Sequence, residues 1–189
     1  NLFFETGMLN RIQRTGPFAV NSREHETVAE HCHRALLVGY VLAKLEKVNV
    51  EKVLLMMLVH DIPEARIWDH NLITARYINK DEAETKAFND QTQNLPDEIK
   101  NEMLSIFKEF NEKKSKESVV AKDADLLECA VEARELVKKG IVDMQDWIKN
   151  VRNRLKTESA KKLLSAVEEL DPDKWWEGLK KIILEENAH

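Results

Sequence analysis

A histidine followed directly by an aspartate, His60-Asp61, closes the apolar run from Val53 to Val59. At the end of such a run both side chains leave water, and a carboxylate there is costly unless it meets a cation or several donors. Glu64 follows one helical turn later on the same face. A histidine, an aspartate and a glutamate converging at the buried end of a helix can ligate a divalent metal. A surface helix end, with Asp61 capping the next turn, would use the same residues, and this segment alone does not choose between the two. His31 lies in the first turn of another helix, directly after Glu30. His33 is also there, but two residues turn a helix by about 200°, so only one of the pair can face a given partner. A single helix histidine is more often a satisfied core or surface residue than a ligand. Asp125 has Ala121, Lys122, Glu128 and Cys129 one turn to either side and so borders an apolar face. It needs a partner, which is either a metal or a lysine or helix end. Asp123 points elsewhere and is expected to stay solvated.

Helices must carry these side chains. Residues Leu2 to Gln13 read as a first helix, stopped by Arg14-Thr15-Gly16-Pro17, and Phe18 to Glu26 as a loop. Thr27-Val28-Ala29-Glu30 has the form of a capping box. It opens a helix to about Glu46 whose middle, Ala35 to Leu45, is apolar on most faces and therefore central. A third helix starts near Glu51 and runs into His60-Asp61, with Pro63 marking its end. Asp81 to Gln93 and Asp97 to Asn111 are amphipathic, and Ser118 to Lys139 is a long helix closed by Gly140. Asp143 to Leu155, Thr157 to Leu170 and Pro172 to Glu186 follow. No stretch alternates with period 2, and Gly 5 and Pro 4 are few. The class is all-α.

The 189 residues fit one domain, able to bury a core without disulfides or a structural metal. A bound metal is then functional. Hydrophobic residues make up 43% and charged residues 33%, with a net charge of −5 and no broad basic stripe. That disfavours a nucleic-acid polymer as partner but leaves room for a small anion. Cys32 and Cys129 form no CxxC pattern, which points to a reducing compartment and two small buried residues. No apolar run approaches the roughly 20 residues of a membrane span, and no signal peptide is visible, so a cytoplasmic location is expected. Trp147, Trp175 and Trp176 are candidates for core or dimer contacts, with Asp173-Lys174-Trp175-Trp176 as a dimer face.

The order of the chemical residues says more than any one of them. His, then His-Asp on a later helix, then Asp on a much later one resembles the HD-domain phosphohydrolase superfamily. Leu9 to Gly16, Glu26 to His31, His60-Asp61-Ile62-Pro63-Glu64-Ala65, Asp69 and Lys122-Asp123-Ala124-Asp125 look like its 5′-deoxynucleotidase branch. The resemblance covers roughly residues 8 to 135. It implies a multi-helix HD-domain bundle; beyond it, residues 138–189 read only as C-terminal helices packed on or extending that core, within a single domain over 1–189. It selects His31 over His33 and implies one divalent metal held by His31, His60, Asp61 and Asp125, with positions left for water and phosphate. Such a nitrogen and oxygen set suits Mn, Co, Zn, Ni or Fe, and Mg less well; the related nucleotidases are activated by cobalt or manganese.

By the same resemblance Glu64 orients or deprotonates a water, Asp69 contacts the sugar or assists the leaving group, and Arg14 grips phosphate. The implied reaction is hydrolysis of a nucleoside 5′-monophosphate to nucleoside and phosphate, by a homodimer. The alternatives are hydrolysis of another nucleotide phosphate ester, such as a nucleoside triphosphate or guanosine tetraphosphate, and a non-catalytic metal-binding protein of the same fold. Glu64 and Arg14 argue against the last. Some relatives carry a Trp close after the Arg that favours deoxy substrates. Here the chain reads Arg14-Thr15-Gly16-Pro17-Phe18, which leaves the sugar open. Only His70 lies between His60 and Asp125, which favours a mononuclear site over a two-metal phosphodiesterase.

Overall fold

Side chains of Thr27, Asn49, Asn79, Ser115 and Thr157 each cap the start of a helix. A computed structural model describes residues 1–20, 22, 25–177 and 179. The opening helix is shorter than expected. α1 (Leu2–Thr6) gives way to a 3₁₀ turn at Gly7–Asn10, and Gln13 pairs antiparallel with Thr27. The Val28 amide donates to the Ile12 carbonyl at 2.8 Å and the Arg14 amide to the Glu26 carbonyl at 3.0 Å. A five-residue helix running into Gly7 is too short to sustain itself, and burial of Leu9 and Ile12 against Val28 decides the path instead. The expected loop from Phe18 holds the end of a second 3₁₀ turn, Gly16–Val20.

α2 (Val28–Glu46) begins with the anticipated capping box between Thr27 and Glu30 and stops at Lys47 in the left-handed conformation. Its middle is less enclosed than its composition suggests. Ala35, Gly39, Leu42 and Ala43 are buried, while Leu37, Tyr40 and Leu45 face outward. At Gly39 an added Cβ would lie 3.0 Å from Met57 Cγ, so glycine sets how closely the next helix approaches. That helix, α3 (Val50–Val59), is capped by Asn49 and stops just before His60-Asp61, which form a turn into the short α4 (Glu64–Ile67). α5 (Lys80–Thr92), α6 (Asp97–Glu112) and α7 (Lys116–Lys138) follow. Gly140, at φ 99°, takes the chain out of α7.

α8 (Gln145–Arg154) and α9 (Glu158–Glu169) complete the described helices before a run of turns through Trp176. The helix expected from Pro172 to Glu186 has not begun there, and most of its remainder lies outside the described residues. Trp175 in this stretch is exposed.

α2 and α7 pack most extensively, α3 rests on both, and α8 and α9 lie on α7. One apolar core runs through Leu42, Met56, Met57, Leu127, Ile148 and Leu164, so the last two helices share the core that α2 and α7 build. Among the described residues no helix is long and apolar enough to cross a membrane.

Asp123 corrects the sequence reading. It is buried, not solvated, and its carboxylate accepts from the amides of Lys156 (3.0 Å) and Thr157 (2.7 Å) and from the Thr157 hydroxyl (2.7 Å). Thr157 is the N-cap of α9, where a carboxylate meets the positive helix end. Asp123 therefore fastens the C-terminal helices to α7.

Candidate metal and phosphate site

Three elements converge on His31. From α2 its Nε2 lies 3.4 Å from His60 Nε2, 3.5 Å from Asp61 Oδ2 and 3.2 Å from Asp125 Oδ1, the last contributed by α7. The structure thus brings together all four residues named from the sequence as ligand candidates, and all four are buried. His60 Nδ1 donates to the Met57 carbonyl at 2.8 Å, which leaves Nε2 with its lone pair facing the cluster. His31 Nδ1 meets Glu128 Oε2, and Glu128 Oε1 is held by Arg34 Nε at 2.7 Å. Arg34 also pairs with Glu26 and Glu135. A carboxylate behind a histidine ligand fixes its tautomer and ring orientation. His33 is exposed on the same helix and takes no part.

The charges show what the cluster wants. Burial and Arg14 oppose protonation of His31, yet Asp125, Glu128 and Glu26 hold its pKa well above the usual imidazole range. Burial pushes Asp61 up, but His60, His31 and Arg14 hold it well below the usual carboxylate range. Asp125 is likewise held low against burial by Lys122, His31 and His60, with Lys122 Nζ 2.6 Å from Oδ2. The cluster draws a proton and a lysine to its carboxylates, so a divalent cation with two imidazole and two carboxylate ligands suits it chemically. Two other groupings of ligand-type atoms suit one less well. In the grouping of His31 with Glu26 and Glu128, the two carboxylates already hold the Arg34 guanidinium. Cys129, near His31 and Asp125, is a free thiol pushed up to about 12, mainly by burial.

A cavity of about 360 Å³ opens beside His60, Asp61 and Asp125. Arg14 lines it, with Nη1 3.5 Å from Asp61 Oδ2 and Nη2 3.3 Å from Cys129 Sγ. Glu64 lines it as well. Its Oε1 lies 3.4 Å from Lys80 Nζ, while its Oε2 is buried with no hydrogen-bond partner. Burial, with the charges of Asp61 and Asp69, raises the Glu64 pKa well above the usual carboxylate value despite Arg14 and Lys80. Asp69 Oδ2 accepts from the Thr15 amide at 2.6 Å, which braces the residue next to Arg14. Trp68, at φ 69°, turns the chain into this contact. A positive φ is rare for a bulky residue, and strain of this kind gathers at functional sites.

Sequence reading missed Lys80, Glu84, Glu128, Arg34 and α8's share of the cavity. Each lies within an ordinary charged helix surface pattern, so only the fold shows that it turns inward.

Glu132, on the His31 Nδ1 side, is pushed up to about 7 by burial and by the charges of Glu26 and Glu128. An acid whose folded pKa is raised binds more protons folded than unfolded, so stability falls as pH rises from about 4.5 to about 7. Glu132→Gln, which keeps an acceptor for the Glu26 amide, is expected to leave the melting temperature unchanged at pH 4. At pH 8 it should raise it by roughly 5 °C. Equal melting temperatures at pH 8 would show that Glu132 titrates normally.

The HD-domain family matches residues 6–168, and the chain belongs to that family. Among curated relatives, the 5′-deoxynucleotidase HDDC2 of Xenopus laevis is 28% identical over 168 residues, covering 86% of this chain and 82% of the relative. Its Homo sapiens counterpart is 30% identical over 132 residues, 68% of this chain and 63% of that protein. A solved structure of a conserved hypothetical protein from Pyrococcus furiosus superposes with a TM-score of 0.74 at 28% identity, over 89% of this chain and 98% of that one. Family, relatives and site chemistry together support an HD phosphohydrolase.

Proposed function

We propose that the chain is a metal-dependent 5′-nucleotidase that hydrolyses (deoxy)nucleoside 5′-monophosphates to nucleoside and phosphate. The observation that carries this reading is the meeting of His31, His60, Asp61 and Asp125 beside a cavity that also presents Arg14 and a half-unpaired Glu64. The names of the curated relatives support it.

The four residues would hold one divalent metal, which when bound polarises a phosphoryl oxygen and acidifies a water. Arg14 offers a planar fork of donors to the phosphate. Glu64 Oε2, without a partner in the protein, accepts the proton of the attacking water. Lys80, between Glu64 and Glu84, keeps the Glu64 carboxylate oriented. Asp69 fixes Thr15 and, through it, the reach of Arg14, and stands in the cavity where a leaving sugar oxygen would emerge.

The test is phosphate release from a panel of nucleoside mono- and triphosphates by metal-stripped protein, with Mn, Co, Zn or Mg added back. Stripped protein is expected to be inactive, and Mn or Co to restore release from monophosphates most strongly. Release from triphosphates alone, or undiminished turnover without metal, would overturn the reading.

A further inference from the structure

Besides its histidines, the described lining of the cavity holds two aromatic side chains, Phe110 and Trp147. Phe110 is committed. It is 4% exposed, meets the His60 ring edge to face at a centroid distance of 5.6 Å, and has Lys122 Nζ over its own ring at 5.3 Å. Trp147 is half-buried. It comes from α8, packs against the core that α2 and α7 build, and also faces the cavity. Its indole N–H donates to no protein acceptor among the described residues. A ring that only filled the core would bury that donor against a partner.

The ring is placed from the Arg14 side. A Cβ added to Gly16 would lie 3.3 Å from Trp147 Nε1, 3.6 Å from Cζ2 and 3.7 Å from Cε2. The bare backbone of Gly16 thus lets the indole edge rest against the chain two residues from Arg14. Two peptide steps span at most about 7.6 Å between Cα atoms, so ring and phosphate-binding segment are neighbours. Thr15, between them, carries the amide that holds Asp69 Oδ2. Along three consecutive residues the chain therefore sets out a guanidinium, a braced carboxylate and an indole edge. A nucleotide carries its phosphate, sugar and base in the same succession.

We infer that Trp147 receives the nucleobase, which stacks on the cavity-facing part of the indole while its phosphate sits at Arg14. This rests on the nucleotidase reading and extends it from phosphate release to recognition of the far end of the substrate. Every base has a π face, so a stacking ring confers affinity without choosing among bases. The substrate class is then nucleoside 5′-monophosphates of broad base identity, and base-free sugar phosphates are poor ligands.

The test is titration of the full Mn-loaded chain, in a Glu64→Gln background so that ligand is not consumed. The ligands are 2′-deoxyadenosine 5′-monophosphate and 2-deoxyribose 5-phosphate, which keeps sugar and phosphate but lacks the base. By calorimetry the nucleotide is expected to bind about tenfold or more tighter. Trp147→Ala should erase that advantage while changing sugar-phosphate affinity by less than about twofold, and Trp147→Phe, which keeps a ring, should hold nucleotide affinity within about threefold. Nucleotide should also quench indole emission, and most of that quench should be lost in Trp147→Phe, although Trp68, Trp175 and Trp176 remain. Equal affinity for the two ligands, equal weakening of both in Trp147→Ala, or an undiminished quench in Trp147→Phe would overturn the assignment and leave the ring to the core alone. Failure of the nucleotidase reading looks different: neither ligand binds, or both bind unchanged in Arg14→Ala.

Discussion

Glu64→Gln is expected to lower kcat by about 10²- to 10⁴-fold while the protein keeps its metal, because general-base assistance is of that size. The substitution preserves volume and the contact toward Lys80 but removes, among the described residues, the one cavity carboxylate with a buried oxygen that has no hydrogen-bond partner. Burial and the charges of Asp61 and Asp69 raise the Glu64 pKa. A dication at the His31 cluster would oppose that shift and ionise Glu64, so the acid limb of the pH profile of kcat/KM belongs to this residue and should vanish in the variant. Metal content by elemental analysis and phosphate release by colorimetry decide it. Near-normal release would remove Glu64 from the mechanism, and loss of metal would make it a ligand instead.

The second large effect lies on stability, two residues from a ligand candidate. Asp123→Ala strips the Lys156 and Thr157 amides of a buried acceptor and unfastens the start of α9. Each stranded donor costs on the order of 1–3 kcal/mol, and the sum is expected near 3–4 kcal/mol. For a chain of this size that lowers the melting temperature by roughly 10 °C. Asp123→Asn should not rescue it fully, since its amide group sets a donor against donors. A loss under 1 kcal/mol in chemical denaturation would mean that water satisfies those amides and that α9 is held by its apolar face alone.

The contrast between Asp123 and Asp125 shows where sequence reading stops. Both sit on α7 two residues apart, both are buried, and nothing local tells which faces a cation and which faces backbone amides. The partners of Asp123 are 33 and 34 residues away, a separation no helical period encodes. Capping signals did travel. Thr27 with Glu30 and Gly140 after α7 act within one turn and are legible as such. The opening segment misled because its apolar residues suit a helix, whereas pairing with residues 26–28 gives Leu9 and Ile12 a better burial. The His31, His60, Asp61 and Asp125 grouping was recognisable from order and family resemblance. Glu128 and Arg34, which orient His31 from behind, were not, because a glutamate on a charged helix carries no mark of facing inward.

The bridge between residues 12–14 and 26–28 has a kinetic consequence. The backbone carrying Arg14 is stitched to the very start of α2, the helix that carries His31. The guanidinium and the imidazole therefore move as one body. A ligand meets a donor fork already in place and forfeits little affinity to loop ordering. The stretch between α4 and α5 is tied to the same body, since Asp69 accepts from the Thr15 amide and Asn71 donates to the Thr15 carbonyl, so a ligand associates without waiting for that lip to order.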